Sequence, residues 1–143
     1  MVGDFTKIDY DPEAYEKYLK AKDLYARSDN ADQDEEAINL MKDVIVLDNR
    51  LIAAQLQLGN MYYDNVQYDK AETIFNQSLR KSKELEDNTS IAEALRKQGQ
   101  LYRKQGKNES ALEKFNEALS ISTVMNDKNS MAKIMNSIAI LYY

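Results

Sequence analysis

Leu58-Gly59-Asn60-Met61-Tyr62, followed by Ala71, Phe75 and Leu79, is matched forty residues later by Gln98-Gly99-Gln100-Leu101-Tyr102, followed by Ala111, Phe115 and Leu119. Gly, Tyr, Ala, Phe and Leu recur in one order at one fixed offset. Ile138-Ala139-Ile140-Leu141-Tyr142 opens a third copy, with Tyr142 another forty residues beyond Tyr102. A fixed period of this size marks a solenoid of repeated supersecondary units. The small residues Gly59, Gly99, Ala139, Ala71 and Ala111 let two helices approach closely, and Tyr62, Tyr102, Phe75 and Phe115 fill the remaining space. Each buried aromatic contributes roughly 2–3 kcal/mol. A single hairpin cannot bury such a stripe alone, so stability comes from stacking on neighbours.

The 143 residues include no cysteine and no histidine. Disulfides and thiolate metal sites are thereby excluded, as are the usual general base and any histidine triad. Four Gly and one Pro among abundant Ala, Leu, Lys and Glu favour helices. Catalysis would have to come from carboxylates, Lys, Tyr or Ser. The carboxylates stand at helix-surface spacings and in loops, and no Gly-rich phosphate loop occurs. The expectation is a non-enzymatic chain without cofactor or metal. Asp29-Asn30-Ala31-Asp32-Gln33-Asp34-Glu35-Glu36 superficially resembles a calcium loop. It lacks the central Gly and terminal Glu that such a loop needs, and reads instead as an acidic loop and helix start.

No apolar run approaches the roughly 18–20 residues of a membrane span. Met1 to Tyr10 lacks a basic and then apolar signal region. A soluble chain, with the cytoplasm as its default location and no membrane partner, is expected. The net charge of −5 argues against nucleic acid. Residues 1–48 carry thirteen acidic and six basic side chains, against eleven and thirteen in residues 49–143. Either this is ordinary variation on solvated faces, or the chain has an acidic end and a mildly basic one.

In chain order, residues 1–11 form a flexible or loosely docked lead-in, and residues 12–143 a single domain. Asp11-Pro12-Glu13 suits a helix start, and that helix runs to about Ser28. Ser28 to Asp32 is a polar loop. A second helix covers about Gln33–Leu47, with Ala37, Ile38, Met41, Val44 and Ile45 as its stripe. The third runs from about Leu51 to Asp64 and the fourth from about Tyr68 to Leu85. Thr89 or Ser90 can cap the fifth, which ends near Gln105 before the C-capping Gly106. Asn108 can cap the sixth, to about Met125. The last begins near Asn129 or Ser130. Short connections make sequential helices antiparallel neighbours.

Leu58-Gly59, Tyr62, Ala71 and Phe75, and again Gly99, Tyr102, Ala111, Phe115 and Ala118, resemble the signature of the tetratricopeptide repeat (TPR), whose usual period is 34 residues. The forty-residue offset resembles longer variants in G-protein-regulator scaffolds and bacterial peptide sensors. The first repeat is more degenerate. Met41 replaces the aromatic, Leu47-Asp48-Asn49 resembles the usual Leu-Asp-Pro ending, and Tyr25 falls where Gly is expected. The resemblance implies an all-α right-handed superhelix of about seven helices, or three and a half repeats: about 13–50, 51–88, 89–128 and a partial 129–143.

The resemblance also implies a partner. First helices line the inner surface of such a superhelix, which binds an extended peptide or a helix of another protein. Mapped onto this chain, the inward positions are Ala53, Leu56, Asn60, Tyr63 and Asp64, then Glu93, Arg96, Gln100, Arg103 and Lys104, then Lys133, Asn136, Ile140 and Tyr143. Arg96 and Arg103 lie two turns apart on one face. Arg binds a carboxylate bidentately, and Asn or Gln can hold a peptide backbone through donor and acceptor together. Asn60, Tyr63, Arg96, Gln100, Arg103, Lys104, Lys133 and Asn136 are therefore the candidate site, for an acidic or C-terminal segment. The competing reading makes Arg96, Lys97, Arg103 and Lys104 an ordinary solvated face. The carboxylate clamp of some TPR co-chaperones is not matched. Lys22 occupies one clamp-like position, but Ala26, Gln57 and Glu93 stand where Asn, Asn and a basic residue belong, and Glu93 should repel a carboxylate.

Met131, Ile134, Met135, Ile138 and Leu141 give the last helix more apolar surface than one neighbour covers. The expectation is a chain that continues beyond residue 143, or a homodimer through that helix. Tyr15 to Lys22 weakly resembles the opening helix of TPR regions in bacterial signalling proteins. That suggests an alternative, a regulatory or peptide-sensing module of a cyclase, kinase or transcription regulator.

Overall fold

The computed structural model describes residues 9–142. Residues 1–8 of the expected lead-in and Tyr143 of the expected inner face lie outside them. Seven helices succeed one another among the described residues: α1 (Pro12–Ala26), α2 (Ala31–Leu47), α3 (Ile52–Asp64), α4 (Tyr68–Glu84), α5 (Asn88–Lys104), α6 (Asn108–Val124) and α7 (Lys128–Leu141). α1 packs on α2, α3 on α4 and α5 on α6, and each hairpin stacks on the next. The first helices of successive hairpins also touch, α3 against α5 and α5 against α7, forming one layer.

Helix starts obey hydrogen-bond chemistry and differ in detail from the sequence expectation. The Asp11 carboxylate accepts from the Ala14 N–H at 3.0 Å, and the Asn30 side chain accepts from the Gln33 N–H at 2.9 Å. Asn30 capping sets α2 going at Ala31, two residues earlier than expected. Asp87, not Thr89 or Ser90, caps α5, and Asp127 caps α7. Each accepts from the backbone N–H three residues on, Ser90 and Ser130, at 3.1 Å, and each also takes that serine's hydroxyl. A carboxylate satisfies two orphan donors here and complements the helix N-terminus. Asn108 is the first residue of α6, and Lys107 stands before it with no side-chain cap.

Four helices end alike. Val66, Glu86, Gly106 and Asn126 adopt left-handed backbone, with φ of 62, 54, 76 and 55°. In each case the next N–H reaches back to a carbonyl of the last turn: Gln67 to Tyr62, Asp87 to Ser82, Lys107 to Tyr102 and Asp127 to Ser122, at 2.8–3.0 Å. This closure satisfies carbonyls that the helix leaves free. The α2–α3 junction is different. Asp48 is extended, with φ −150°.

The glycines at 59 and 99 are required by contact rather than by backbone angle. A Cβ on Gly99 would lie 2.5 Å from Cε1 of Phe115, and one on Gly59 would strike the Phe75 ring in the same way. Each ring sits against the facing helix in a notch that only glycine leaves open. Two buried clusters result, one around Met41, Leu58, Met61 and Phe75, the other around Ile91, Leu95, Phe115 and Ile134.

In the first hairpin the expected register shifts. Ala21 stands five residues before the end of α1, as Gly59 and Gly99 do in α3 and α5. Ala21 and Met41 are both fully buried in one cluster, whereas Tyr25, expected at the glycine position, is only half-buried. A hairpin connection one residue longer and an α2 that begins earlier displace Met41 by about one turn relative to Phe75 and Phe115.

Candidate functional site

The candidate residues lie along the layer made by α3, α5 and α7. Asn60 and Gln100 occupy equivalent, half-buried positions on α3 and α5. Tyr63 at the end of α3 is half-buried and packs on Tyr68 with ring centroids 5.6 Å apart. Burial pushes its phenol up in pKa, and the Arg103 guanidinium on α5 works against that rise. Tyr63 and Arg103 therefore share one region of the layer. Lys104, Lys133 and Asn136 are exposed.

Arg96 is engaged within its own helix. Its Nε donates to Glu93 Oε2 at 3.1 Å and its Nη2 to Oε1 at 2.6 Å, and only 11% of the side chain is exposed. The spacing of three residues on a helix allows this fork. The Lys97 ammonium reaches the same Glu93 Oε1 at 4.0 Å, with 16% of its side chain exposed. Burial pushes Glu93 up, but Arg96, Lys97 and Lys133 outweigh it and leave the carboxyl below its ordinary value. Burial, followed by the neighbouring Arg96, pushes the Lys97 ammonium down.

Several sequence readings change here. Arg96 and Lys97 are not part of a freely solvated face. Glu93 does not stand as a lone repulsive charge, because two cations hold it. Lys97, absent from the candidate set, belongs to the cluster; its four-residue spacing from Glu93 was the available signal. Glu93 thus serves Arg96 and Lys97, Asp64 also acts on Lys97 from α3, and Lys133 adds its field from α7. At the end of α3, Asp64 Oδ2 accepts from Tyr25 Oη of α1 at 3.0 Å.

The acidic stretch from Asp29 to Glu36 is built into a helix start. Asn30 caps α2, Gln33 Oε1 accepts from the Asp29 N–H at 2.8 Å, and residues from Ala31 onward are helical. Among the described residues no three carboxylates converge as metal ligands, and no helix is long and apolar enough to cross a membrane.

Paired antiparallel helices, stacked so that first helices share one layer and glycine notches receive phenylalanine rings, define a helical-hairpin solenoid. The tetratricopeptide repeat family pattern matches residues 50–123, just over half the chain. The chain belongs to that family, and is a protein-interaction scaffold. The N-terminal domain of stress-induced protein-1 (STI-1) from C. elegans is similar in fold, with a TM-score of 0.65 at 19% identity, covering 89% of this chain and 98% of that one. No curated protein matches the chain in sequence.

Proposed function

We propose that the α3–α5–α7 layer binds an extended, acidic segment of a partner protein. The observation that carries this reading is the cation surplus around Glu93. Arg96 and Lys97 share one carboxylate, and Lys133 stands close enough to influence both Glu93 and Lys97. The Lys97 ammonium, 4.0 Å from a carboxylate already held by Arg96 and otherwise drawn only by the field of Asp64, gains from a further anion. Lys97, Lys133 and Arg103 meet the acidic side chains in this reading. Arg96 acts through Glu93, holding it against the helix. Asn60, Gln100 and Asn136 offer donor and acceptor pairs for the peptide backbone, and Tyr63 gives an apolar platform beside Arg103. Lys104 extends the positive field at the end of α5.

The test is a lysate pull-down with mass spectrometry, comparing the chain with a Lys97→Gln/Arg103→Gln/Lys133→Gln variant. Proteins retained by the original and lost by the variant should carry acidic segments, and their retention should weaken with salt. Equal retention by both forms removes the acidic reading.

A further inference from the structure

The register that Ala21 gives to α1 changes what the inner layer offers. Counted from Ala21 and Gly99, the places of Glu93, Arg96, Gln100 and Arg103 on α5 are taken on α1 by Tyr15, Tyr18, Lys22 and Tyr25. Burial supports this alignment. Ala54, Leu58 and Met61 of α3 are buried in the first cluster. Their counterparts on α1 are Glu16, Lys20 and Asp23, all exposed, since no hairpin precedes α1 among the described residues. The remaining face of α1 therefore continues the layer of α3, α5 and α7, and it does so with tyrosines where α5 has arginines.

The tyrosines are held as a ladder. Tyr10 stacks on Tyr15 with planes 9° apart and ring centroids 6.4 Å apart, and Tyr15 meets Tyr18 at 6.0 Å. Hydrogen bonds on both sides of Tyr10 fix it in place. The Asp9 carbonyl accepts from Arg50 Nη2 at 3.0 Å, and the Asp11 N–H donates to Asp48 Oδ2 at 2.9 Å. Lys22 stands over Tyr18, 5.9 Å from the ring centroid. Tyr15 is 45% exposed and Leu19 beside it 49%. The ladder is also joined to the charged part of the layer. Tyr25 donates to Asp64 of α3, and Asp64 acts on Lys97 of α5.

Rings that are positioned in advance bury apolar surface at little cost in side-chain entropy. This ladder spans about 12 Å, which four residues of a polyproline II helix cover at about 3.1 Å each. A proline-rich stretch is already extended, loses little freedom on docking, and fits aromatic-lined surfaces. We propose that the acidic partner segment also carries a proline-rich stretch, which docks on the Tyr10–Tyr15–Tyr18 ladder of α1; this rests on the acidic reading of the layer given above. From α1 to α5 is about 20 Å, two interhelical steps, so about six extended residues separate the two parts of the segment.

The test uses fluorescein-labelled peptides titrated with the intact protein and followed by anisotropy. Two composites join a run of about four prolines, through about six Gly/Ser residues, to a run of Asp and Glu, in either order. A control has Gly/Ser in place of the prolines. One of the composites should bind about tenfold more tightly than the control. Tyr15→Gln/Tyr18→Gln protein should lose that advantage and keep the affinity for the control, which also reports that the layer is folded. Tyr15→Phe/Tyr18→Phe protein should retain the advantage, because the rings are retained. Composites that bind no better than the control, or an advantage that survives the Gln variant or is lost in the Phe variant, overturn the proline assignment and leave the acidic reading standing. A tyrosine-dependent composite beside a control without salt-sensitive binding supports the ladder and removes the acidic reading. No saturable binding by any peptide overturns both.

Discussion

The first and third hairpins fill their interiors with different side chains. In α5–α6 a glycine notch admits the Phe115 ring. In α1–α2 there is no such glycine, and Ala21 and Met41 are both buried without solvent exposure in one cluster. A methyl group gained on one helix is balanced by a smaller, more pliable side chain on the other, as a close-packed interior demands. The two hairpins also differ in their turns. After α5 and α6, left-handed Gly106 and Asn126 turn the chain. After α2, the buried carboxylate of Asp48 and the partly exposed Arg50 do so: Asp48 accepts from Arg50 Nη2 at 2.8 Å and Nε at 2.9 Å, and from the Asp11 N–H at 2.9 Å. The solenoid therefore keeps its antiparallel hairpins while register, side chains and turns vary.

The largest expected effect tests whether Phe115 and Met41 carry equal weight. Phe115→Ala removes a fully buried ring from a notch too rigid to close, and should destabilise by about 4 kcal/mol. Met41→Ala should cost about 3 kcal/mol, because the longer first hairpin relaxes more readily. Urea unfolding followed by circular dichroism measures both. A larger loss for Met41 would reverse the ranking and place the centre of stability in the first hairpin.

The junction comes next. Asp48→Ala strips the carboxylate from Arg50 and from the Asp11 N–H, and should cost about 2–3 kcal/mol. The same group gives the protein an acid sensitivity. The Arg50 fork, opposed by burial but joined by the Asp11 and Arg50 N–H groups, holds Asp48 well below the usual carboxylate range. A carboxyl lowered in the folded state contributes fully above its unfolded pKa, about 4, and loses that contribution as pH falls toward the folded value. Glu93, lowered as well, acts in the same direction. The melting temperature should therefore change little between about pH 7 and 5 and fall below about pH 4. In Asp48→Ala that fall should be shallower, and parallel curves for the two proteins would remove Asp48 as its source.

The glycine–phenylalanine hairpins were legible in sequence because Gly and Phe are scarce in this chain and recur with Ala at one fixed spacing. The first hairpin buries Ala21 and Met41 without a Gly–Phe pair, and its extra length shifts the register, so the sequence pattern puts Tyr25 in the glycine's place. The additional length between Ala71 and Ala111, relative to Ala37 and Ala71, lies in helix: α4 runs further past its phenylalanine, and α5 is longer than α3. Periodicity alone could not assign that length to helix or loop. At the candidate site, spacing brought Arg96 and Arg103 onto one face. What spacing alone did not decide was how Glu93 would be shared, because i+3 and i+4 partners compete for it and burial chooses the outcome.

A double-mutant cycle sharpens the comparison further. Gly99→Ala gains helix propensity of about 1 kcal/mol but overpacks the Phe115 ring by roughly 1–3 kcal/mol, for a net loss. Phe115→Met alone leaves the notch underfilled. Together they place the first hairpin's alanine and methionine inside the third, and the double variant should be about 1–2 kcal/mol more stable than the two single losses predict. Strict additivity would show that Gly99 and Phe115 do not act as one unit.

The smallest effect concerns the turns. Val66 and Gly106 do the same backbone task, with φ of 62 and 76°, and both residues are exposed. A β-branched side chain is strained in that region, whereas glycine is not. Val66 is 67% exposed, so little packing is lost when its side chain is removed. Val66→Gly should therefore stabilise by up to about 1 kcal/mol, even though glycine gives the unfolded chain more freedom. Gly106→Val should destabilise by about as much or slightly more, since no neighbour within 4 Å would pack against the new side chain. Opposite signs at the two sites, read as shifts in urea midpoint, would mean that the backbone angle governs both turns. Loss of stability at both would mean that Val66 holds the α3–α4 hairpin through a contact of its own.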